Sequence, residues 1–251
     1  MGQRLLALAH GAPDLNVAAA LERPDHPDFG RDAGVTAGVG EIGVPLADTW
    51  VTPPDCLIDF STPAGALRAV ELCTAHRVPL VLATTGLSDE EQAQVRAAAE
   101  AIPLLWAPNM SLAVNLGMKL VGVAAEALKS DPAAVDVEII ERHHRYKEDA
   151  PSGTALKFGE IVAHAMGQST HTHGREGRPG VRPRDEIGYH ALRVGDDPGQ
   201  HTIVFGMLGE TLEVTVKATS RDAYAYGALT AARYLVGKKP GMYSINDVLG
   251  L

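Results

Sequence analysis

VDVEIIERHHRYKEDAPSGTALKF, residues 135–158, packs a change of secondary structure and a cluster of charge into one segment. Val137–Ile140 is mostly β-branched and apolar, which predicts a buried strand. At its end come Glu141, Arg142, His143, His144, Arg145, Tyr146 and Lys147, two imidazoles and three cations in seven residues. Asp149-Ala150-Pro151-Ser152-Gly153-Thr154 then breaks the chain and opens a helix. Pro151 pushes the residue before it out of the right-handed helical region, and Ser152 or Thr154 can cap the amides that follow. The segment therefore reads as a strand–loop–helix unit.

Such a unit offers a carboxylate two things at once. The helix start supplies neutral N–H donors at the positive end of its dipole, and His144 and Lys147 supply positive charge. His143 and Lys147 are also closely spaced proton donors. The same residues also allow a plain solvated, positively charged loop between a strand and a capped helix, the lesser of the two readings.

The bulk composition narrows the classes. A chain of 251 residues with 45% hydrophobic and 21% charged residues can bury one large core or two small ones. A net charge of −9 argues against general nucleic-acid binding, so an anionic ligand must be drawn in by local positive charge such as Arg142–Lys147. Cys56 and Cys73 lie in apolar segments and read as buried free thiols. No apolar run approaches membrane length, and MGQRLLALAHGAPD lacks the core and cleavage site of a signal peptide. These features predict a cytoplasmic protein with no membrane contact.

In chain order, residues 3–12 read as a helix ending near Gly11, and Leu15–Leu21 as a strand ending at Glu22-Arg23. An acid at a strand end, about twenty residues beyond a glycine loop, is the ribose-binding part of a dinucleotide fingerprint. Counting back from Glu22 lands on Gly2, as if the chain starts at the end of that loop. Residues 24–55 are rich in Gly, Pro and Asp and read as a long irregular excursion. Strands at Cys56–Phe60, Leu80–Ala83 and Pro103–Trp106 alternate with helices at Pro63–His76 and Asp89–Ala101, which predicts a doubly wound parallel sheet. Ligands in such sheets lie at the carboxyl ends of the strands, here Phe60-Ser61, Thr85-Gly86 and Ala107–Asn109, although helix capping explains each turn as well.

Ser111–Lys129 reads as a connecting helix. His171 and His173 fall in a polar loop without a third close ligand, which argues against a metal site. Arg178–Asp185 reads as a mobile loop. Ile187–Val194, His201–Phe205 and Thr211–Ala218 are consecutive strands with short connections, so an antiparallel layout is expected. Asp222–Val236 is a final alanine-rich helix.

HHRYK-x-DAPSGTA, His143–Ala155, resembles the signature of the dihydrodipicolinate reductase family of lysine and diaminopimelate biosynthesis. The resemblance is long and specific, running from Glu138 to Leu156, and it extends over nearly all of the remaining chain. It implies an α/β protein. Residues 1–112 and 222–251 would form a Rossmann-like doubly wound parallel sheet, N-terminally truncated, that binds the dinucleotide. Residues 113–221 would form an α+β domain with a mostly antiparallel sheet for substrate binding and oligomerisation. Members of the family begin with a strand and a G-x-x-G-x-M-G loop, of which Met1-Gly2 matches only the last two residues. The expectation is thus a chain lacking its first strand and most of that loop. Val216 also stands where many relatives carry a histidine.

The implied reaction is reduction of 4-hydroxy-tetrahydrodipicolinate by NADH or NADPH, with Lys147 as general acid and His143 as the proton donor or acceptor beside it. His144 and the amides of Ser152, Gly153 and Thr154 would hold the carboxylates of a small dicarboxylate. Met1, Gly2, Glu22, Arg23 and Phe60 would meet the cofactor, with Gly86, Leu87, Ser88, Ala107, Pro108, Asn109 and Met110 on its nicotinamide side. A carboxylate beside a guanidinium at residues 22 and 23 suits both a ribose hydroxyl and a 2′-phosphate. The implied assembly is a homotetramer. Two rivals stand beside this reading: a catalytically impaired fragment or non-catalytic assembly subunit of the family, and another oxidoreductase of the same architecture.

Overall fold

A computed structural model describes residues 1–130 and 135–251. The chain divides into two compact units, Met1–Leu112 with Asp222–Leu251, and Ala113–Arg221.

The first unit is built on a four-stranded parallel sheet: Leu57–Asp59 (β3), Leu80–Leu82 (β4), Pro103–Trp106 (β5) and Gly241–Tyr243 (β11), in the order β11-β5-β4-β3. Every residue of β4 is fully buried, as a central strand covered on both faces must be. Its alternation sends Leu80 and Leu82 to one layer and Val81 to the other. The first layer is closed by Pro63–His76 (α3) and Asp89–Ala98 (α4) through Ala66, Val70, Cys73 and Val95. The second is closed by Gly2–His10 (α1), Asp222–Leu235 (α7) and Ile245–Leu249 (α8) through Leu5, Leu229, Leu235 and Ile245. Thr62 caps α3 with Pro63 at its first position, and Arg77 in a left-handed conformation ends it.

The region before β3 differs from expectation. Strand structure over Leu15–Leu21 is confined to Ala20–Leu21 (β1), because its parallel partner, Leu46–Ala47 (β2), reaches no further. The two form a sheet of their own, separate from β3. The excursion from 24 to 55 also contains the helix Ala33–Ala37 (α2). Asp32 organises it: one carboxylate accepts the amides of Gly34, Val35, Ile42, Gly43 and Val44, tying the start of α2 to the returning chain. Both cysteines are free, with Cys73 buried and Cys56 partly so. Burial pushes the Cys56 thiol up to about 12.

The second unit is a five-stranded mixed sheet with two helices on its buried face. Its strands are Asp136–His143 (β6), Thr170–His173 (β7), Glu186–Arg193 (β8), Gln200–Met207 (β9) and Glu210–Lys217 (β10), in the order β10-β9-β6-β8-β7. Leu112–Leu128 (α5) and Gly153–Met166 (α6) pack on it through Val121, Ala125, Phe158 and Val162, against Val137, Ile139, Ile187, Ile203 and Phe205.

Antiparallel pairing joins β6, β9 and β10, but β8 pairs in parallel with β6 and β7. So β8 and β9, neighbours in sequence, are separated by β6. His171 and His173 are not in a loop. They lie in the edge strand β7, stacked on Tyr189 with ring centroids 5.6 and 5.2 Å away. The segment expected to be mobile is anchored by Arg182, which donates to Asp136, to Glu138 and to the carbonyl oxygens of Val137 and Glu186. Among the described residues, no helix is long and apolar enough to cross a membrane.

Candidate active site

The buried face of β6 runs Val137, Ile139, Glu141, His143. The period-2 alternation that fills the core with two aliphatic residues thus carries an acid and an imidazole into its edge. Glu141 is 1% exposed, and a carboxylate so deeply buried needs compensation. Arg193, opposite His143 on β8, supplies it with two parallel bonds of 2.9 and 2.8 Å. The other donors are His143 Nδ1 at 2.6 Å and the Ser152 amide at 3.1 Å. Burial alone would raise the Glu141 carboxyl, but the bonds from Arg193 and His143 outweigh it and hold it below the usual carboxylate range.

Ser152 is the cap of α6: its hydroxyl accepts from the Ala155 amide at 3.2 Å and lies 3.0 Å from His201 Nε2. His201, opposite Glu141 on β9, is buried with its ring 5.2 Å from that of His143. Burial, helped by the neighbouring His143, pushes its pKa down to about 4. Ser152 therefore contributes a cap and a hydroxyl, while its amide, expected to face a ligand, is spent on Glu141. A Cβ built on Gly153 would meet nothing within 4 Å, so the space beside the helix start is open.

Lys147 sits on the loop between β6 and α6, its amine 2.7 Å from Asp149 Oδ1. Asp149 is exposed, and such surface pairs are weak enough to yield to another anion. His144 Nε2 accepts from the Arg221 guanidinium at 2.9 Å, and its Nδ1 is buried without a hydrogen-bond partner among the described residues. Positive charge at this point is thus carried by Arg221. Sequence reasoning assigned no role to Glu141, Arg193, His201 or Arg221.

In the first unit the other expected residues lie at the ends of strands and at the start of α1. Glu22 follows β1 and accepts the Arg23 amide at 2.9 Å, and Arg23 itself is exposed. Phe60 is half-buried after β3. Beside it Asp59 gathers the Ser61 hydroxyl at 2.6 Å and the Thr84 hydroxyl at 2.5 Å, a cluster the sequence did not suggest.

After β4, Gly86 adopts φ +80°, a conformation that favours glycine. Leu87 is buried, and Ser88 caps α4 in a reciprocal box with Glu91. After β5, Ala107 and Met110 are buried, Pro108 is exposed, and Asn109 accepts the Ser111 amide at 2.9 Å. Met1 and Gly2 open α1. An acid at one strand end, a left-handed glycine at another and exposed turns between them fit the ribose and nicotinamide ends of a dinucleotide.

Two family models match: "Dihydrodipicolinate reductase, N-terminus" over residues 1–110 and "Dihydrodipicolinate reductase, C-terminus" over residues 113–249. The chain is 51% identical over 259 aligned residues to the 4-hydroxy-tetrahydrodipicolinate reductase of Rhodopirellula baltica, covering 100% of this chain and 92% of that one. It is 46% identical over 257 to the enzyme of the same name from Nitrosomonas eutropha, covering 100% and 94%. Among solved structures, the dipicolinate-bound dihydrodipicolinate reductase of Paenisporosarcina sp. TG-14 has the same fold, with a TM-score of 0.75 at 24% identity over 97% of this chain and 92% of that one. These matches run over all of this chain and over 92% and 94% of the two curated relatives. Matched over nearly its whole length by both models, the chain belongs to the dihydrodipicolinate reductase family.

Proposed function

We propose that the 4-hydroxy-tetrahydrodipicolinate reductase activity of this chain, a step of lysine and diaminopimelate biosynthesis, uses Lys147 as general acid, with His143 as its proton partner. NADH or NADPH, when bound, supplies the hydride. The substrate's 4-hydroxyl leaves as water, hydride arrival then leaves negative charge on the ring, and Lys147 delivers the proton that neutralises it. His143 exchanges a proton through Nε2, because Nδ1 is committed to Glu141. The open start of α6 at Gly153-Thr154, with Lys147 and Arg221, receives the substrate carboxylates. Glu22 and Arg23 hold the adenosine ribose of either cofactor, Met1 and Gly2 border the phosphates, and Phe60, Gly86–Ser88 and Ala107–Met110 line the path to the nicotinamide.

The observation that carries this reading is local. A lysine and an imidazole flank a capped helix start on one strand–loop–helix unit, and the lysine's partner is a weakly held surface carboxylate. Lys147→Ala is expected to lower kcat by roughly 100-fold or more with little change in KM; near-normal turnover overturns the role. NADH fluorescence titration is expected to show binding that pyridine-2,6-dicarboxylate strengthens, and a folded chain that binds neither ligand would favour the non-catalytic reading. The outer face of the five-stranded sheet, with Ile140 of β6 at 40% and Leu192 of β8 at 44% exposure, supports assembly as a homotetramer. Sedimentation of the full chain tests that.

A further inference from the structure

We propose that Glu141 and Arg193 are positioning residues for the proton transfer, acting through His143 and through the backbone of the 147–152 loop. The inference rests on the reading above, in which His143 and Lys147 handle the proton. A carboxylate offers about four acceptor positions. In Glu141 they are taken by His143 Nδ1, the Ser152 amide and both terminal nitrogens of Arg193. A saturated, 1% exposed carboxylate has nothing left with which to touch a ligand or accept a reacting proton.

Nor does stability alone call for it, since a buried ion pair is often no better than an apolar pair of the same volume. What the pair does provide is position, because each of its bonds ends on a piece of the site. Arg193 also donates Nε to the Lys147 carbonyl at 3.3 Å and its other nitrogens to the carbonyls of Asp149 and Leu192. The pair thus holds the His143 ring, the chain on both sides of Glu148, and the first amide before α6. A carboxylate only accepts, so His143 Nδ1 carries a hydrogen and Nε2 is left for exchange. The charged and titratable groups around this centre include Glu141 and His143 from β6, Arg193 from β8, His201 from β9 with Asp197 just before that strand, and Lys147 and Asp149 from the loop.

Glu141→Gln in the full chain tests this. The amide keeps the shape but loses charge and an acceptor position. The expected result is a kcat lower by roughly 100-fold, the range seen when the partner that orients a reacting group is altered. NADH and pyridine-2,6-dicarboxylate binding should stay within a few-fold of the parent. A merely structural role would weaken ligand binding together with turnover, whereas a positioning role lowers kcat at parental KM. Should Glu141→Gln fail to fold, Arg193→Lys serves instead: it keeps the charge, loses the fork, and is expected to lower kcat about 10-fold at parental KM. Parental kcat in Glu141→Gln, with Lys147→Ala inactive, overturns this inference and leaves the site reading standing. Turnover retained by both Lys147→Ala and His143→Ala overturns the site reading and this inference with it.

Discussion

His143 Nε2 has room because residue 199 has no side chain. A Cβ there would come within 2.9 Å of Nε2, and the backbone at φ +141° disfavours a side chain in any case. Gly199→Ala should therefore push the ring off its Glu141 bond. We expect kcat to fall by more than about 10-fold and the melting temperature by several degrees, as for over-packing of a tight site. Steady-state kinetics beside thermal melts check this, and a parental kcat would mean the ring tolerates the displacement. The candidate residues that the sequence marks, His143, Lys147 and Ser152–Thr154, all sit on one short segment, where chain-breakers and local charge make them candidates. Arg193, His201 and Arg221 reach the same place from strands and turns dozens of residues away, and hydrogen-bond partners across a sheet leave no local mark. Glu141 did leave one: it occupies the buried phase of a β-branched strand, where an acid needs a partner.

Helices with a marked start were read closely, as α3 from Pro63 to His76 and α4 from Asp89 show. Proline and capping residues act within a single turn, so sequence alone locates them. Strand pairing is another matter. The insertion of β6 between β8 and β9 depends on which long-range ladder forms, and the all-polar Thr-His-Thr-His of β7 carries none of the apolar signal by which strands are recognised. The start of α4 also separates two roles given to one residue. The Ser88 hydroxyl accepts from the Glu91 amide and donates to Glu90, while its own amide goes to the Glu91 carboxylate. With its polar groups so occupied, Ser88 borders the nicotinamide path without a side-chain bond to the cofactor. Ser88→Ala is expected to cost about 1 kcal/mol and lower the melting temperature by roughly 2–4 °C, with the NADH dissociation constant unchanged within a few-fold. A tenfold weaker NADH affinity would show that the hydroxyl meets the cofactor directly.

The two units should answer acid differently. In the Ala113–Arg221 unit, His201 is held neutral down to about pH 4, against an ordinary value of 6.5. The unfolded chain therefore binds a proton between those limits that the folded chain does not, so stability falls as pH falls through that window. The slope is about 1.4 kcal/mol per pH unit, or about 3 kcal/mol in all. Carboxylates held below their ordinary values, Glu138 and Glu141 among them, extend the loss further down. Burial raises Glu138, but bonds from Arg175, His190 and Arg182 hold it at about 2, and Glu141 is likewise lowered. Carboxylates depressed in this way stabilise the fold above their ordinary values and lose that contribution only as pH drops below about 4.5. The window from 6.5 to 4.5 belongs to His201. Trp50 and Trp106 both lie in the other unit, so tryptophan emission follows that one, while amide exchange in β6 and β9 follows this one. Acidification from pH 7 to 5 is expected to weaken exchange protection of β6 and β9, after correction for intrinsic rates, by about 2 kcal/mol, with tryptophan emission unchanged. His201→Gln should remove that pH dependence, because an amide keeps a partner for Ser152 but cannot take up a proton. Protection in β9 that stays flat from pH 7 to 5 would mean that His201 ionises without leaving its place in the core.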